Sequence, residues 1–156
     1  MLAKNLAAHV TITHCRARPE DLMPFGVPIP GFLKKQIIEQ AQKVANQEEA
    51  GMQAELEELC KTLGLDLNIT PPADHATASW IDEPGRQVDV IKRHGRLADL
   101  ICVAKPDVDR NLGTNTLKGA LFHTGRPVMM CPPRDTLPEQ LCVNIAIGWN
   151  GSTESA

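Results

Sequence analysis

The sequence of 156 residues predicts an α/β protein with a parallel, doubly wound sheet. Short β-favouring runs alternate with amphipathic stretches, which is the order of βαβ units with right-handed crossovers. The run A-D-L-I-C-V-A at 98–104 is almost continuously apolar, as expected of a strand buried on both faces. The stretch 33–63 repeats apolar residues at spacings of three and four, which predicts a long helix.

The other elements follow from local patterns. Residues 1–8 are typical of the end of a helix, and four prolines with two glycines make 16–31 a loop. Gly64 is a suitable residue to end the long helix. In chain order we further expect strands at 9–15, 76–81, 127–131 and 141–147, and helices at 87–97 and 114–124.

Composition excludes several classes of protein. The net charge is −3, so no basic surplus indicates a nucleic acid or an anionic membrane as partner. No apolar run is long enough to span a membrane, and the first eight residues are too short for a secretory signal. The five cysteines are widely spaced and form no C-x-x-C pair, which favours buried, reduced thiols over metal or redox chemistry. We therefore expect a cytoplasmic protein without a metal site.

The two ends of the chain carry complementary patterns. Residues 140–156 read as the first strand and first loop of an α/β nucleotide-binding domain, whereas the first eight residues read as the end of a helix that precedes a strand. We therefore expect a piece of a longer protein built of two similar domains. The predicted division is a domain over 1–134 and, over 135–156, a linker followed by the start of a second repeat.

Three phrases, in their order and spacing, resemble the universal stress protein A family in its tandem two-domain bacterial form. They are G-R-L-A-D-L-I-C-V-A-K-P at 95–106, A-L-F-H-T-G-R-P-V-M-M-C-P at 120–132 and V-N-I-A-I-G-W-N-G-S-T-E-S-A at 143–156. The resemblance implies a five-stranded parallel sheet in the order 3-2-1-4-5, of the adenine-nucleotide-alpha-hydrolase-like type. It also implies a homodimer through the last strand, here Val128–Cys131.

The resemblance assigns family strands two, three, four and five to 9–15, 76–81, 100–104 and 127–131. The domain over 1–134 then lacks its own first strand, which is central in the family sheet. Because such a gap leaves two unpaired edges, we expect Leu141–Ile147 to fill it, either within the chain or by exchange with a partner chain. The connection 132–140 could span about 30 Å when extended, so its reach excludes neither arrangement.

The resemblance also implies a nucleotide site at the carboxyl ends of the strands. The candidate residues follow family strands one and four or lie near family strand two, and they are Asn150, Gly151, Ser152, Gly113, Thr114, Asn115, Ala104, Lys105 and His14. Two departures weaken this site: an amide replaces the family's acid at Asn150, and the loop after 104 is short and acidic. Thr114 and Asn115 can equally serve as simple helix caps.

No Ser-His-Asp, paired-carboxylate or Walker-type pattern occurs in the sequence, so no catalytic residue is predicted. The expected function is that of a non-catalytic stress-response module that binds or regulates as a dimer, without a cofactor. The alternative is a stress protein that binds ATP or another nucleotide, with at most slow ATPase activity.

Overall fold

The computed structural model describes residues 2–16, 18, 29–69, 73–110, 112–133, 143–148 and 151. The helices in this part of the chain are α1 (Leu2–Asn5), α2 (Gly31–Leu63), α3 (Gln87–Gly95) and α4 (Thr114–His123). The strands are β1 (His9–Arg16), β2 (Asp66–Leu67), β3 (Thr77–Pro84), β4 (Ile101–Ala104) and β5 (Val128–Cys131). The predicted α/β class is confirmed.

The strands form two small parallel sheets. In the first, β3 lies between β1 and β2, and its register against β1 runs from His9 opposite Thr77 to Arg16 opposite Pro84. In the second, β4 pairs with β5 from Ile101 opposite Val128 to Ala104 opposite Cys131. All three pairings are parallel, as the alternation of strands and helices predicts.

The described residues do not form a single five-stranded sheet in the order 3-2-1-4-5. Strand β1 pairs only with β3, and strand β4 pairs only with β5. Each of these two strands therefore keeps one edge without a backbone partner among the described residues. The two sheets are linked through α3, which contacts β1 and packs along α4, and α4 in turn contacts β4 and β5.

The predicted strand at 141–147 is wrong for residues 143–147, and residues 141 and 142 lie outside the described part. Residues 143–148 belong to no strand, and the side chains of Val143, Ile145 and Ile147 are 67%, 75% and 87% exposed. These residues therefore do not fill the gap within their own chain. The reason is physical: an extended segment gains little unless a neighbouring backbone satisfies its amides and carbonyls.

Helix α2 ends where the sequence predicts, because Gly64 adopts the left-handed conformation at φ 59°. Its apolar stripe, however, is largely exposed: Cys60 is its buried residue, while Phe32 and Val44 are 71% and 50% exposed. Length explains the difference. A helix of 33 residues extends about 50 Å, about twice the ~26 Å of an eight-residue strand. Much of α2 therefore lies beyond the sheet that it could cover.

The core is small and rich in alanine, as the low aromatic content predicts. Its buried apolar members among the described residues are Cys60, Ala76, Ala78, Val90, Val103 and Ala120. Val88 of α3 is 38% exposed, and Leu97, just past the end of this helix, is 83% exposed. The short helix turns Val90 inward instead, because its buried face is set by contact with α4 and β1.

Strand β4 is covered on one face only. Val103 is buried, whereas Cys102 and Ala104 on the opposite face are exposed, so the predicted burial on both faces is wrong. The predicted burial of the cysteines is confirmed for Cys60 and is wrong for Cys102, which shares that open face. Cys15 and Cys131 are half-buried, the four described cysteines are free thiols, and Cys142 lies outside the described residues.

No helix in the described ranges is both long enough and apolar enough to cross a membrane.

The contact between α3, α4 and β4 depends on two glycines. A Cβ atom on Gly119 would lie 3.3 Å from Ile91 Cδ1. A Cβ atom on Gly95 would lie 2.8 Å from Thr124 Cγ2 and 2.9 Å from Ile101 Cδ1. Thr124 cannot easily move away, because its hydroxyl donates to the Ala120 carbonyl at 2.7 Å.

We expect Gly95→Ala to destabilise the protein by about 1–3 kcal/mol, because the added methyl group must displace packed side chains. The matched control is Gly51→Ala in the middle of α2, where a Cβ atom would meet nothing within 4 Å. That substitution should stabilise by about 0.5–1 kcal/mol through helix propensity. Urea unfolding followed by circular dichroism measures both changes, and equal effects at the two sites would contradict this packing.

Candidate functional site

Polar side chains gather where β1 and β3 end, at the carboxyl edge of the three-stranded sheet. Parallel pairing places His14 opposite Asp82, and alternation puts both on the face that also carries Arg16 and Trp80. Helix α2 adds two side chains to this face. The group, named here the carboxyl-end cluster, consists of His14, Arg16, Asn46, Glu49, Trp80 and Asp82.

Arg16 is the centre of the carboxyl-end cluster. Its Nη2 lies 2.8 Å from Asp82 Oδ2 and also contacts the carboxylate of Glu49, while its Nη1 donates to Asn46 Oδ1 at 3.1 Å. The side chains of Arg16, Asp82 and Glu49 are only 25%, 21% and 16% exposed. One guanidinium therefore bridges two carboxylates, which leaves one negative charge in excess, and fastens α2 to the sheet.

His14 forms the second half of the cluster. Its Nδ1 lies 2.8 Å from Asp82 Oδ1, and its ring stacks on Trp80 with centroids 5.5 Å apart and planes 22° apart. In the neutral ring, donation from Nδ1 to the carboxylate leaves Nε2 as an acceptor for a ligand. This pair can accept a hydrogen bond or hold a proton.

No nucleophile accompanies His14 on its face of β1. The neighbouring Thr13 and Cys15 point to the opposite face by strand alternation. The Cys15 thiol donates to the Gly85 carbonyl at 3.2 Å. Burial, with the nearby negative charges of Glu83 and Asp82, raises the pKa of the Cys15 thiol and keeps it protonated. The arrangement is therefore suited to binding, and not to nucleophilic attack.

Two donors in the cluster are buried and lack an acceptor among the described residues: Nε of Arg16 and Nε1 of Trp80. A buried donor without an acceptor costs about 1–3 kcal/mol. Both atoms lie on the side chains that build the cluster.

A second charged group lies on the other face of β3. The carboxylate of Glu83 contacts both Arg93 and His94 of α3. The hydrogen bond from His94, with the charge of Arg93, lowers the pKa of the Glu83 carboxyl below its ordinary value. This triangle joins the end of β3 to α3.

The site residues predicted after β4 lie along one closed loop. Ala104 is exposed at the end of β4, and the Lys105 amide donates to the Cys131 carbonyl at 2.8 Å. Asp107 and Leu112 exchange two backbone hydrogen bonds of 3.0 and 2.9 Å, which closes the loop on itself. The Asp107 carboxylate accepts from the Arg110 amide at 3.0 Å, so its charge stays within the loop.

Helix α4 begins without a side-chain cap. Its N-cap residue is Gly113, at φ 81°, and Thr114 is the first helical residue, so the predicted capping role of Thr114 and Asn115 is wrong. A Cβ atom at Gly113 would lie 3.3 Å from Pro106 Cα, and only glycine suits both that approach and the positive φ. Gln87 donates from Nε2 to Thr116 Oγ1 at 2.8 Å, which holds the first turns of α3 and α4 together.

The predicted nucleotide residues do not converge in the described structure. His14 belongs to the three-stranded sheet, whereas the residues from Ala104 to Asn115 follow the two-stranded one. No hydrogen bond or ion pair joins the two groups within the described ranges. Gly151 is exposed at φ 77°, and Asn150 and Ser152 lie outside the description. Sequence reasoning missed Arg16, Trp80 and Asp82, whose meeting depends on the β1–β3 register.

Comparison of the chain with models of protein families, with curated protein sequences and with solved structures gives no match. Within the described residues no group of three or more His, Cys, Asp or Glu side chains could hold a metal ion.

The Glu83 triangle generates a prediction about pH. Because the folded-state pKa of Glu83 is lowered, its contribution to stability is present above the unfolded pKa of about 4.3 and is lost as the pH falls through that value and then through the folded pKa. We expect Glu83→Gln to be less stable than the parent near pH 7 and to approach the parent's stability below about pH 4. Urea unfolding at the two pH values measures this.

The control for this prediction is Glu57→Gln on the exposed face of α2, a carboxylate without an ion pair among the described residues. It should remain close to the parent at both pH values. A Glu83→Gln deficit that is the same at both pH values would mean that lost packing, and not the charge, causes it.

Proposed function

We propose that this chain is a cytoplasmic, non-catalytic binding or regulatory module of the universal stress protein type, and that it acts as a homodimer in a stress response. The observation that carries the proposal is that β1 and β4 each pair with a single strand among the described residues, while the apolar side chains of Val143, Ile145 and Ile147 are exposed. A module with this arrangement is complete only when a further strand joins it.

The exposed segment has the pattern of that strand. Val143, Ile145 and Ile147 alternate with Asn144 and Ala146, so an extended segment would place three large apolar side chains on one face. Exposing them in a lone chain is unfavourable, and inserting the segment between β1 and β4 of a second copy would bury them. We therefore propose reciprocal exchange of Leu141–Ile147 between two copies, which completes the order 3-2-1-4-5 in each.

The chemistry of the carboxyl-end cluster favours binding over catalysis. Arg16 already engages both Asp82 and Glu49, so its guanidinium and these two carboxylates are held in ion pairs at the strand ends. The free acceptor on His14 and the stacked Trp80 ring suit recognition of a partner or ligand.

The exchange predicts a dimer that depends on Ile145. Sedimentation velocity should give a dimer for the parent chain and a monomer for Ile145→Lys, because a lysine in a central strand would be buried without a counter-charge. The matched control is Val108→Lys, which makes the same change at a side chain 83% exposed, against 75% for Ile145. It should remain dimeric.

The outcomes distinguish two interfaces. A parent that is monomeric at all concentrations would remove the proposal. A dimer that survives Ile145→Lys would exclude the exchange and leave the last strand, Val128–Cys131, as the dimer interface; Met130 on that strand is 50% exposed.

Nucleotide binding is the second candidate, and the start of α4 favours it. The first amides of α4 have no side-chain cap, and Asn115 lines a depression of about 380 Å³ together with Arg86 and Gln87. Uncapped amides at a helix start are suited to a phosphate. Isothermal titration with Mg-ATP tests this candidate: binding that Asn115→Asp weakens through charge repulsion would support it, and no binding by the folded chain would remove it.

A further inference from the structure

A basic groove lies between the end of β3 and the length of α3. Its volume is about 600 Å³, and it runs from Gly85 and Arg86 at the start of α3 to Arg96 and Leu97 just past its end. The volume falls within the range of about 300–1,000 Å³ that is typical of small-molecule sites. The groove is built from one copy of the chain, so a ligand can bind there without the dimer.

The charge of the groove opposes that of the whole protein. The chain has 16 basic and 19 acidic residues, which gives a net charge of −3. The groove instead is lined by five basic side chains and two carboxylates, namely Arg18, Arg86, Lys92, Arg93 and Arg96 with Glu83 and Asp89. Overall composition therefore does not explain this concentration of positive charge.

Most of these cations have no ion-pair partner in the part of the chain that the structure describes. Arg93 is paired with Glu83, but Arg18, Arg86 and Lys92 make no ion pair within the described residues. Arg96 donates from Nε to the backbone carbonyl of His123 at 3.3 Å, which leaves its full charge in place. Like charges that line one groove repel one another, and a bound anion would relieve the repulsion.

The kind of anion follows from the side chains. Arginine presents a planar fork of N–H donors that matches the oxygens of a phosphate group, and lysine adds a compact positive charge. The apolar wall of Pro84, Val90 and Leu97 can contact the uncharged part of the same molecule. We infer that this groove binds a phosphorylated small molecule with two or more negative charges, through Arg86 and Lys92 with support from Arg18 and Arg96.

The experiment titrates the full chain with inorganic pyrophosphate, followed by calorimetry at low and at physiological ionic strength. The test variant is Arg86→Gln/Lys92→Gln, which removes two charges and keeps polar side chains of similar length. The matched control is Lys34→Gln/Lys35→Gln, which removes the same charge from exposed positions on α2. Circular dichroism of each variant verifies folding, and the single variant Lys92→Gln replaces the double variant if the latter does not fold.

We expect the parent to bind pyrophosphate, the test variant to bind it at least about tenfold more weakly, and the control to match the parent. Absence of binding by the folded parent would overturn the inference. Equal weakening in both double variants would also overturn it, because the effect would then come from overall charge. Tighter binding of a short single-stranded oligonucleotide, with a steep salt dependence, would assign the groove to nucleic acid instead. Since dimerisation is measured separately, failure here leaves the proposed exchange untouched.

Discussion

The architecture depends on one constraint: a strand inside a parallel sheet needs a hydrogen-bonded backbone on each side. Strand β3 meets it at Thr77 and Ala78, where β1 and β2 flank it, and these two residues are buried. Strands β1 and β4 do not, since each has a single partner within the described residues. Strand β4 is also open on one face, where Cys102 and Ala104 are exposed.

Helix α3 holds the two halves in one molecule. One of its sides reaches the end of β3 through Glu83, with Arg93 and His94. Its other side approaches α4 closely. A Cβ atom on Gly95 would crowd Thr124 and Ile101, and a Cβ atom on Gly119 would crowd Ile91. Polar bonding thus fixes α3 against the first sheet, and close backbone contact fixes it against the layer that covers β4 and β5. The same helix lines the basic groove, so its position is also a condition for recognition there.

Local sequence patterns predicted most helices and strands. They did not predict which residues of distant strands would meet. The spacing of apolar residues located α2, and Gly64 ended it, because both signals act within a few residues. The meeting of His14 with Asp82 depends on a register between strands 68 residues apart, which alternation alone does not specify. Residues 143–147 alternate apolar and small or polar side chains as a strand does, but they form no strand here. The alternation indicates which face of a strand would be buried. It does not supply the neighbouring backbone that a strand needs. The candidate nucleotide-binding residues were predicted from the family resemblance. Those that the structure describes do not come together in one site.

The carboxyl-end cluster and the basic groove differ in how their charges are paired. In the carboxyl-end cluster, each carboxylate contacts Arg16 or His14. The ion pairs of Arg16 with Glu49 and Asp82 hold α2 to the sheet. This network holds one guanidinium against two carboxylates, so an added anion would be repelled and would have to displace Asp82 or Glu49. In the basic groove, by contrast, Arg18, Arg86 and Lys92 have no ion-pair partner within the described residues, so an anion there displaces no described carboxylate from them. A folded chain tolerates unpaired cations at its surface at little cost, yet concentrating them in one groove of an acidic protein raises the local affinity for anions. For that reason we place anion recognition along α3 and not in the carboxyl-end cluster.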